Sequence, residues 1–463
     1  MQKLIAKYGV AAHLAILAVA PLFLFPFYGE GTIATVLLWL AVPAQTWLLM
    51  EPSLRSGERL HDARRRVAWG LLTDPLLWVG LVLVVFTGIR ALNTGIALAY
   101  DAETAKWVVN DARFPFFPGS VGSAGYLPFA GMVAMTVLLE GCRHSLGRSA
   151  RMAFLLLVST LSGLAALIAI FLAAQGNAAV LHLMKPSQTG YSFVGAVFAL
   201  DFLASLAALV AAFERKWRLD MPLFPLAIGC TAAGAFAFAP AYVSCVFAIA
   251  GILLLVYAFF YSSRALPSSG EFKMLVVCGI SLTLGGLAAV ACLPEDVLAD
   301  RLAAYRSFEF FGERFLSLRE ILTSVALKTW KSHIWIGTGV GSFPLDFRFG
   351  ATAAGWAHVP GGVAMASNGW WQLLVERGVV GALALALPFG FLLVSYFVKM
   401  ARGFGSHALP HPAGWLAPLG LAALCVTGTY DCSFLRPDVL MCAAALAAVS
   451  AQAFSKKKRE DNG

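Results

Sequence analysis

The chain reads as an all-α polytopic membrane protein of about twelve transmembrane helices, with one large helical loop between spans nine and ten. Three observations carry that reading. It is 59% hydrophobic and only 13% charged, where soluble domains hold about 25% charged residues. Apolar runs of about 17 to 25 residues recur along nearly the whole length, each matching the hydrocarbon thickness of a bilayer. The segments of about ten residues with alternating polarity that would mark a transmembrane barrel do not occur.

The elements follow in order. MQKLIAKYGVAAHLAILAVAPLFLF has the basic start and apolar run of a secretory signal, with Ala18-Val19-Ala20 as a cleavage-like triplet. Pro21 would stand just after the cut and argues against processing, so an uncleaved first span is expected. Spans are predicted near 9–27, 32–50, 70–89, 125–140, 152–174, 191–213, 221–238, 241–262, 274–293, 378–398, 415–430 and 438–454. This divides the chain into spans one to nine (1–293), the large loop (294–376), spans ten to twelve (377–455) and a basic tail (456–463).

The net charge of +9 sorts by loop. With the N-terminus inside, 21 of the 34 Lys and Arg residues fall on inner loops and termini, and only Arg90, Lys106, Arg113, Lys185 and Arg436 on short outer loops. The positive-inside rule then places both termini in the cytoplasm and residues 294–376 on the outer face. This distribution accounts for the basic charge without nucleic acid.

Smaller features carry their own expectations. The outer segment 90–124 reads as an interfacial helix from Tyr100 to Asp111, then an aromatic, Pro and Gly loop, or as a plain connector. Asp201, in the sixth span, is expected to face the bundle interior and hydrogen-bond there, with a catalytic or transport role as the alternative. His13 is expected to make a polar contact between helices. Eight scattered cysteines lack CxxC spacing, so neither a disulfide framework nor a zinc site is expected.

The chemistry concentrates in the large loop. Residues 312–332 have helical periodicity, with Phe315, Leu318, Leu322, Val325 and Ala326 in one stripe and Glu320, Lys328 and Lys331 opposite. Arg319 falls on the shoulder of the stripe, where it either snorkels past apolar packing or meets a buried anion such as phosphate. Gly337-Thr338-Gly339-Val340-Gly341-Ser342-Phe343 forms a tight glycine turn without the GxGxxG spacing of a dinucleotide site. Such a turn lets backbone approach either a phosphate or a neighbouring helix. Downstream, ASNGWWQLLVERGVVG enters the tenth span. Ser367 or Asn368 is its natural N-cap, and Gly378 and Gly381 permit close helix packing.

This order of features resembles the O-antigen ligase and O-antigen polymerase superfamily. Its members show an arginine-led helix, a GxGxGxF turn about eighteen residues on, and later an HNxxLxxLxExGxxG run entering a membrane helix. Arg319, the turn from Gly337 to Phe343, and Asn368, Leu374, Glu376, Gly378 and Gly381 keep that spacing. The family histidine aligns with Ser367, the proline before the turn with Ile334, and the nearest match to an earlier Ser-Arg pair is Ser244-Cys245.

The resemblance implies a bacterial inner-membrane glycosyltransferase that ligates or polymerises an undecaprenyl-diphosphate-linked glycan on the outer face. The acceptor hydroxyl, on a glycan, a lipid A core or a protein, attacks the anomeric carbon with inversion and expels the diphosphate. No metal or other cofactor is implied, because arginines meet the developing charge. The implied catalytic group is Arg319 with His358 or Glu376, Glu376 being alternatively a structural partner of Arg377 or Arg319. The substrate-binding candidates are Arg314, Lys328, Lys331, Gly337, Gly339, Gly341, Arg348, Ser367 and Asn368. Partners besides donor and acceptor are membrane lipids. A lipid-glycan flippase or secondary transporter, and a family member that has lost catalysis and acts as a scaffold, are the rival readings. A transporter would usually show matched halves, which this sequence lacks.

Overall fold

A computed structural model describes residues 2–24, 28, 30–52, 57–94, 97–101, 106–110, 119–184, 193–214, 223–265, 270–307, 313–351, 365–366, 368–404 and 412–453. The protein is a helical membrane protein. The helices of the first half are α1 (Gln2–Leu24), α2 (Glu30–Met50), α3 (Leu60–Leu72), α4 (Pro75–Leu92), α5 (Tyr126–Glu140), α6 (Arg148–Ala174), α7 (Ala178–Met184), α8 (Phe193–Glu214) and α9 (Leu223–Phe238). The second half holds α10 (Ala241–Ala265), α11 (Gly270–Cys292), α12 (Glu295–Ser307), α13 (Glu313–Ser332), α14 (Phe343–Gly350), α15 (Gly369–Phe404), α16 (Leu416–Thr427) and α17 (Pro437–Ala453).

A helix stands at each predicted span position. Among the described residues, five apolar stretches are long enough to cross a membrane by length and composition: Gly31–Met50, Pro75–Leu92, Ala150–Ala174, Ala241–Phe260 and Gly369–Val398. Their packing separates an inner layer from an outer one. α8 is buried on all sides from Val194 to Val210, and α17 likewise from Val439 to Val449, as expected of helices apolar around their whole circumference. The peripheral helices expose apolar side chains instead: Trp39 is 76% exposed, Val82 62%, Phe171 62% and Val394 62%. In water such a surface would associate; against lipid it is the favourable one. At one close helix contact, between α9 and α11, glycine stands on both sides. A Cβ on Gly285 would lie 2.2 Å from the Gly229 carbonyl oxygen.

Two local expectations change. The third span begins at Pro75, not near 70, because Asp74 caps it by accepting from the Leu76 N–H at 3.0 Å and proline occupies the first turn. Where an interfacial helix was expected from Tyr100 to Asp111, the backbone forms an antiparallel hairpin, Ala97–Asp101 (β1) with Lys106–Asn110 (β2). The run Trp107-Val108-Val109, aromatic and β-branched, favours the strand.

The polar residues predicted inside the spans are bonded within the bundle. Ser162 Oγ donates to Asp201 Oδ2 and Cys442 Sγ donates to Asp201 Oδ1 at 3.1 Å, so Asp201 ties α8 to α6 and α17. His13 Nε2 lies 3.0 Å from the Leu40 carbonyl oxygen and its ring packs edge-on against Trp47.

Candidate functional site

The large loop builds a small core of its own. Leu322, Val325 and Ala326 of α13, from the predicted stripe, are buried with Phe343, Phe347, Ala366 and Val375. This core seats α13 on the start of α15, and the glycine turn is pinned between them.

All three glycines of the turn have positive φ: 75° at Gly337, 117° at Gly339 and 75° at Gly341. Opposite them α15 is broken at Gly378, where φ is 64° and ψ −175°. The two backbones approach so closely that a Cβ on Gly337 would lie 2.5 Å from the Val375 carbonyl oxygen, and one on Gly378 2.3 Å from that of Trp335. Thr338 N–H donates to Val375 O at 2.8 Å, Gly339 N–H to Glu376 O at 3.1 Å, and Val379 N–H to Ile334 O at 2.9 Å. Gly341 N–H donates to Glu376 Oε1 at 2.9 Å, and Gln372 Nε2 donates to the same oxygen at 2.6 Å. Of the two roles open to the turn, close approach to a neighbouring helix is the one the structure displays. One of its N–H groups, that of Gly341, meets the side-chain carboxyl of Glu376, and those of Thr338 and Gly339 meet α15 carbonyls.

Glu376 is buried, and Arg319 is not its partner. The cations beside it are Arg377, its neighbour in sequence, and Arg90 from the far end of α4. Arg90 is itself fully buried, donates from Nη1 to Glu376 O at 2.7 Å and from Nη2 to Ile336 O, and stacks on Phe86. The sequence marked Arg90 only as an outer-loop charge; an arginine in the last turn of an apolar span was the signal that could have singled it out.

Arg319 points elsewhere, into the corner between α16 and α17. Its Nη2 donates to Thr429 O, and its guanidinium lies 4.8 Å from the centre of the Tyr430 ring. Among the described residues it forms no ion pair. Next in sequence, Asp431 is fully buried and accepts from Tyr242 Oη at 2.6 Å. Tyr242 opens α10, two residues before the Ser244-Cys245 pair. Ser244 Oγ itself donates back to Ala235 O at 3.0 Å. Neither Tyr242 nor Asp431 was singled out from sequence, although an aspartate beside an apolar helix was a usable signal.

Asn368 caps α15: its Oδ1 accepts from Trp370 N–H at 2.9 Å and Trp371 N–H at 3.3 Å. Gly369 N–H reaches both Gly428 O and Asp431 O at 2.9 Å, which locks the helix start to the Arg319 corner. Among the described residues, the other candidate cations do not gather there. Lys328 and Lys331 are exposed, and at about 100° per residue they lie well around α13 from Arg319. Arg348 is exposed on α14. His358, Ser367 and the Arg314 side chain lie outside the described residues.

Asp346 accepts from Thr338 Oγ1 at 3.0 Å and Ser342 Oγ at 3.1 Å, fastening α14 to the turn. Burial pushes its carboxyl above the ordinary aspartate value, against the lowering effect of these two hydroxyls. A separate cluster at the other end of α4 joins Asp74, Glu140 and His144, whose ligand-type atoms lie within 4.8 Å of one another. Arg143 Nη1 is 2.5 Å from the same Asp74 oxygen that His144 Nε2 approaches, so this carboxylate already faces cations from the protein.

No protein-family profile and no curated protein matches the chain.

Proposed function

We propose that the protein transfers or polymerises a lipid-diphosphate-linked glycan onto an acceptor hydroxyl at the outer face of a bacterial inner membrane. In this reading all twelve apolar helices cross the bilayer, both termini are cytoplasmic, and residues 294–376 form the outer lid. The observation that carries it is Arg319, a half-buried guanidinium at the helix corner with no carboxylate partner among the described residues. A phosphate oxygen matches the forked donor geometry of a guanidinium. Diphosphate leaves readily once its developing charge is met by fixed cations, so inversion at the anomeric carbon asks for positioning, charge and a proton acceptor. A base near neutral pKa contributes about 10²- to 10⁴-fold; His358 is the candidate, with a serine at the family histidine's position.

Glu376 serves this chemistry indirectly. Its carboxylate accepts from the turn and from Gln372, so its role is to hold the turn against α15. The test is turnover of an undecaprenyl-diphosphate glycan by purified protein. Parent protein consumes it, and Arg319→Ala, inserted and folded, lowers transfer by at least about 10²-fold, the scale of a lost charge-stabilising donor. Full activity of that variant ends the assignment of Arg319. Movement of intact substrate across vesicles would identify a transporter, and neither consumption nor movement a scaffold.

A further inference from the structure

α3 lies at the end of the bundle away from the glycine turn. Thr73 and Asp74 join it to the start of α4, whereas Arg90, near the other end of α4, bonds the turn; sixteen helical residues separate those ends by about 24 Å. The helix covers the bundle with Ala63, Val67 and Leu71, and Arg64 Nε donates to Met50 O at 2.6 Å, capping α2. Its opposite face carries Asp62, Arg65 and Trp69, spaced i, i+3 and i+7 and therefore on one side. With Arg66 they line an open cleft of about 390 Å³.

The four lining residues are not equally available. Arg66 is held by both Glu58 oxygens at 2.7 and 3.0 Å and by His144 O at 2.8 Å. Arg65 is exposed and forms no ion pair among the described residues. Asp62 has His61 Nδ1 at 3.9 Å, on a side chain 88% exposed, and no Lys or Arg ion pair among the described residues. Trp69 is 69% exposed, beside Leu72 at 58% and Trp78 at 53%. Trp78 donates from Nε1 to Leu72 O at 3.1 Å. Indoles with exposed leucine at a bundle end mark the boundary between hydrocarbon and headgroups.

The cleft thus offers one guanidinium, one carboxylate and one aromatic face at a bundle end where exposed indoles stand. We infer that it binds the headgroup of a phospholipid carrying a primary ammonium: phosphate on Arg65, ammonium on Asp62 and over Trp69. Charge complementarity selects this occupant. A singly anionic headgroup would set its phosphate beside Asp62 with nothing to satisfy that carboxylate. A quaternary ammonium meets the indole face but has no N–H to donate to Asp62. A free phosphate gains nothing from Trp69 and Leu72. The site is independent of glycan transfer.

The test is native mass spectrometry of the full-length protein in detergent, given equal amounts of phosphatidylethanolamine, phosphatidylglycerol and phosphatidylcholine with matched chains. The parent should retain phosphatidylethanolamine about fivefold over each of the others, the discrimination expected of one exposed charged contact. Arg65→Ala should abolish the retention, and Asp62→Asn should shift it toward phosphatidylglycerol. Excess inorganic phosphate should not displace the lipid. Both positions are exposed, and an unchanged melting midpoint in each variant certifies its fold. Equal retention of the three lipids by the parent, preference for phosphatidylglycerol, displacement by phosphate, or variants that retain lipid as the parent does would each overturn the inference.

Discussion

At the scale of single residues, one carboxylate oxygen organises the glycine turn. Glu376 Oε1 accepts from Gly341 N–H and from Gln372 Nε2 in a buried setting. Deleting it strands both donors, and the buried Gln372 donor alone costs about 1–3 kcal/mol. Glu376→Ala should therefore lower the melting midpoint and loosen the turn, while Glu376→Gln, which keeps an acceptor oxygen, should lower it less. Thermal unfolding in detergent compares the two; equal loss would show that charge, not the acceptor, is what matters. Gly337→Ala acts by a different route. It adds a Cβ at φ 75° and 2.5 Å from a carbonyl oxygen, so backbone must shift, and protease sensitivity of residues 333–342 should rise. Asn368 was legible as a cap because side-chain capping is local chemistry. The partner of Glu376 was not, since Gly341 lies 35 residues away and no periodicity links them.

At the scale of elements, α4 acts as a strut with a polar lock at each end. Arg90 fastens one end to Ile336 O and Glu376 O. Arg90→Met keeps the bulk and removes the donors, so amide exchange at 336–342 should quicken while α8 stays protected; unchanged exchange would assign the turn's order to Glu376 alone. At the other end, His144 Nε2 is 2.5 Å from Asp74 and 3.3 Å from Glu140. Burial opposes a charged imidazole, but the two carboxylates outweigh it and raise the His144 pKa. Burial likewise raises Asp74, and the bonds from His144, the Leu76 N–H and Arg143 outweigh it, leaving that pKa lowered.

A raised histidine pKa gives stability that is fully present below about 6.5, the ordinary value, and lost as pH climbs through the folded value. A lowered aspartate pKa gives stability present above about 3.9 and lost as pH falls through its depressed value. The His144 contribution predicts a melting midpoint that declines on the alkaline side. His144→Gln should remove the alkaline decline; its persistence would place the titrating group elsewhere.

At the scale of the whole molecule, the exposed apolar faces of α2, α4, α6, α10 and α15 around the buried helices α8 and α17 form the surface that lipid would cover. In the proposed orientation, a cysteine at Ser332 should react with an impermeant maleimide from outside intact cells and one at Ser455 only after the membrane is opened, each in a background lacking the native cysteines. The reverse pattern would invert the topology and move Arg319 to the cytoplasmic face.

The sequence by itself determined where the twelve apolar helices lie and that such helices suit a bilayer, and it put Leu322, Val325 and Ala326 on the core face of α13; the hairpin at 97–110 it read as a helix or a connector. Composition and helical period are properties of contiguous segments, so they can be read without a fold. It also showed a glycine turn that must meet something at close range. Only the tertiary structure decided what that something is. The turn meets α15 at Gly378 and the carboxylate of Glu376, Arg90 arrives from 286 residues away in sequence to hold them, and Arg319 turns instead to Thr429 and Tyr430 beside Tyr242 and Asp431. Those choices rest on contacts between distant segments, where burial leaves each polar group only the partners that packing brings within reach.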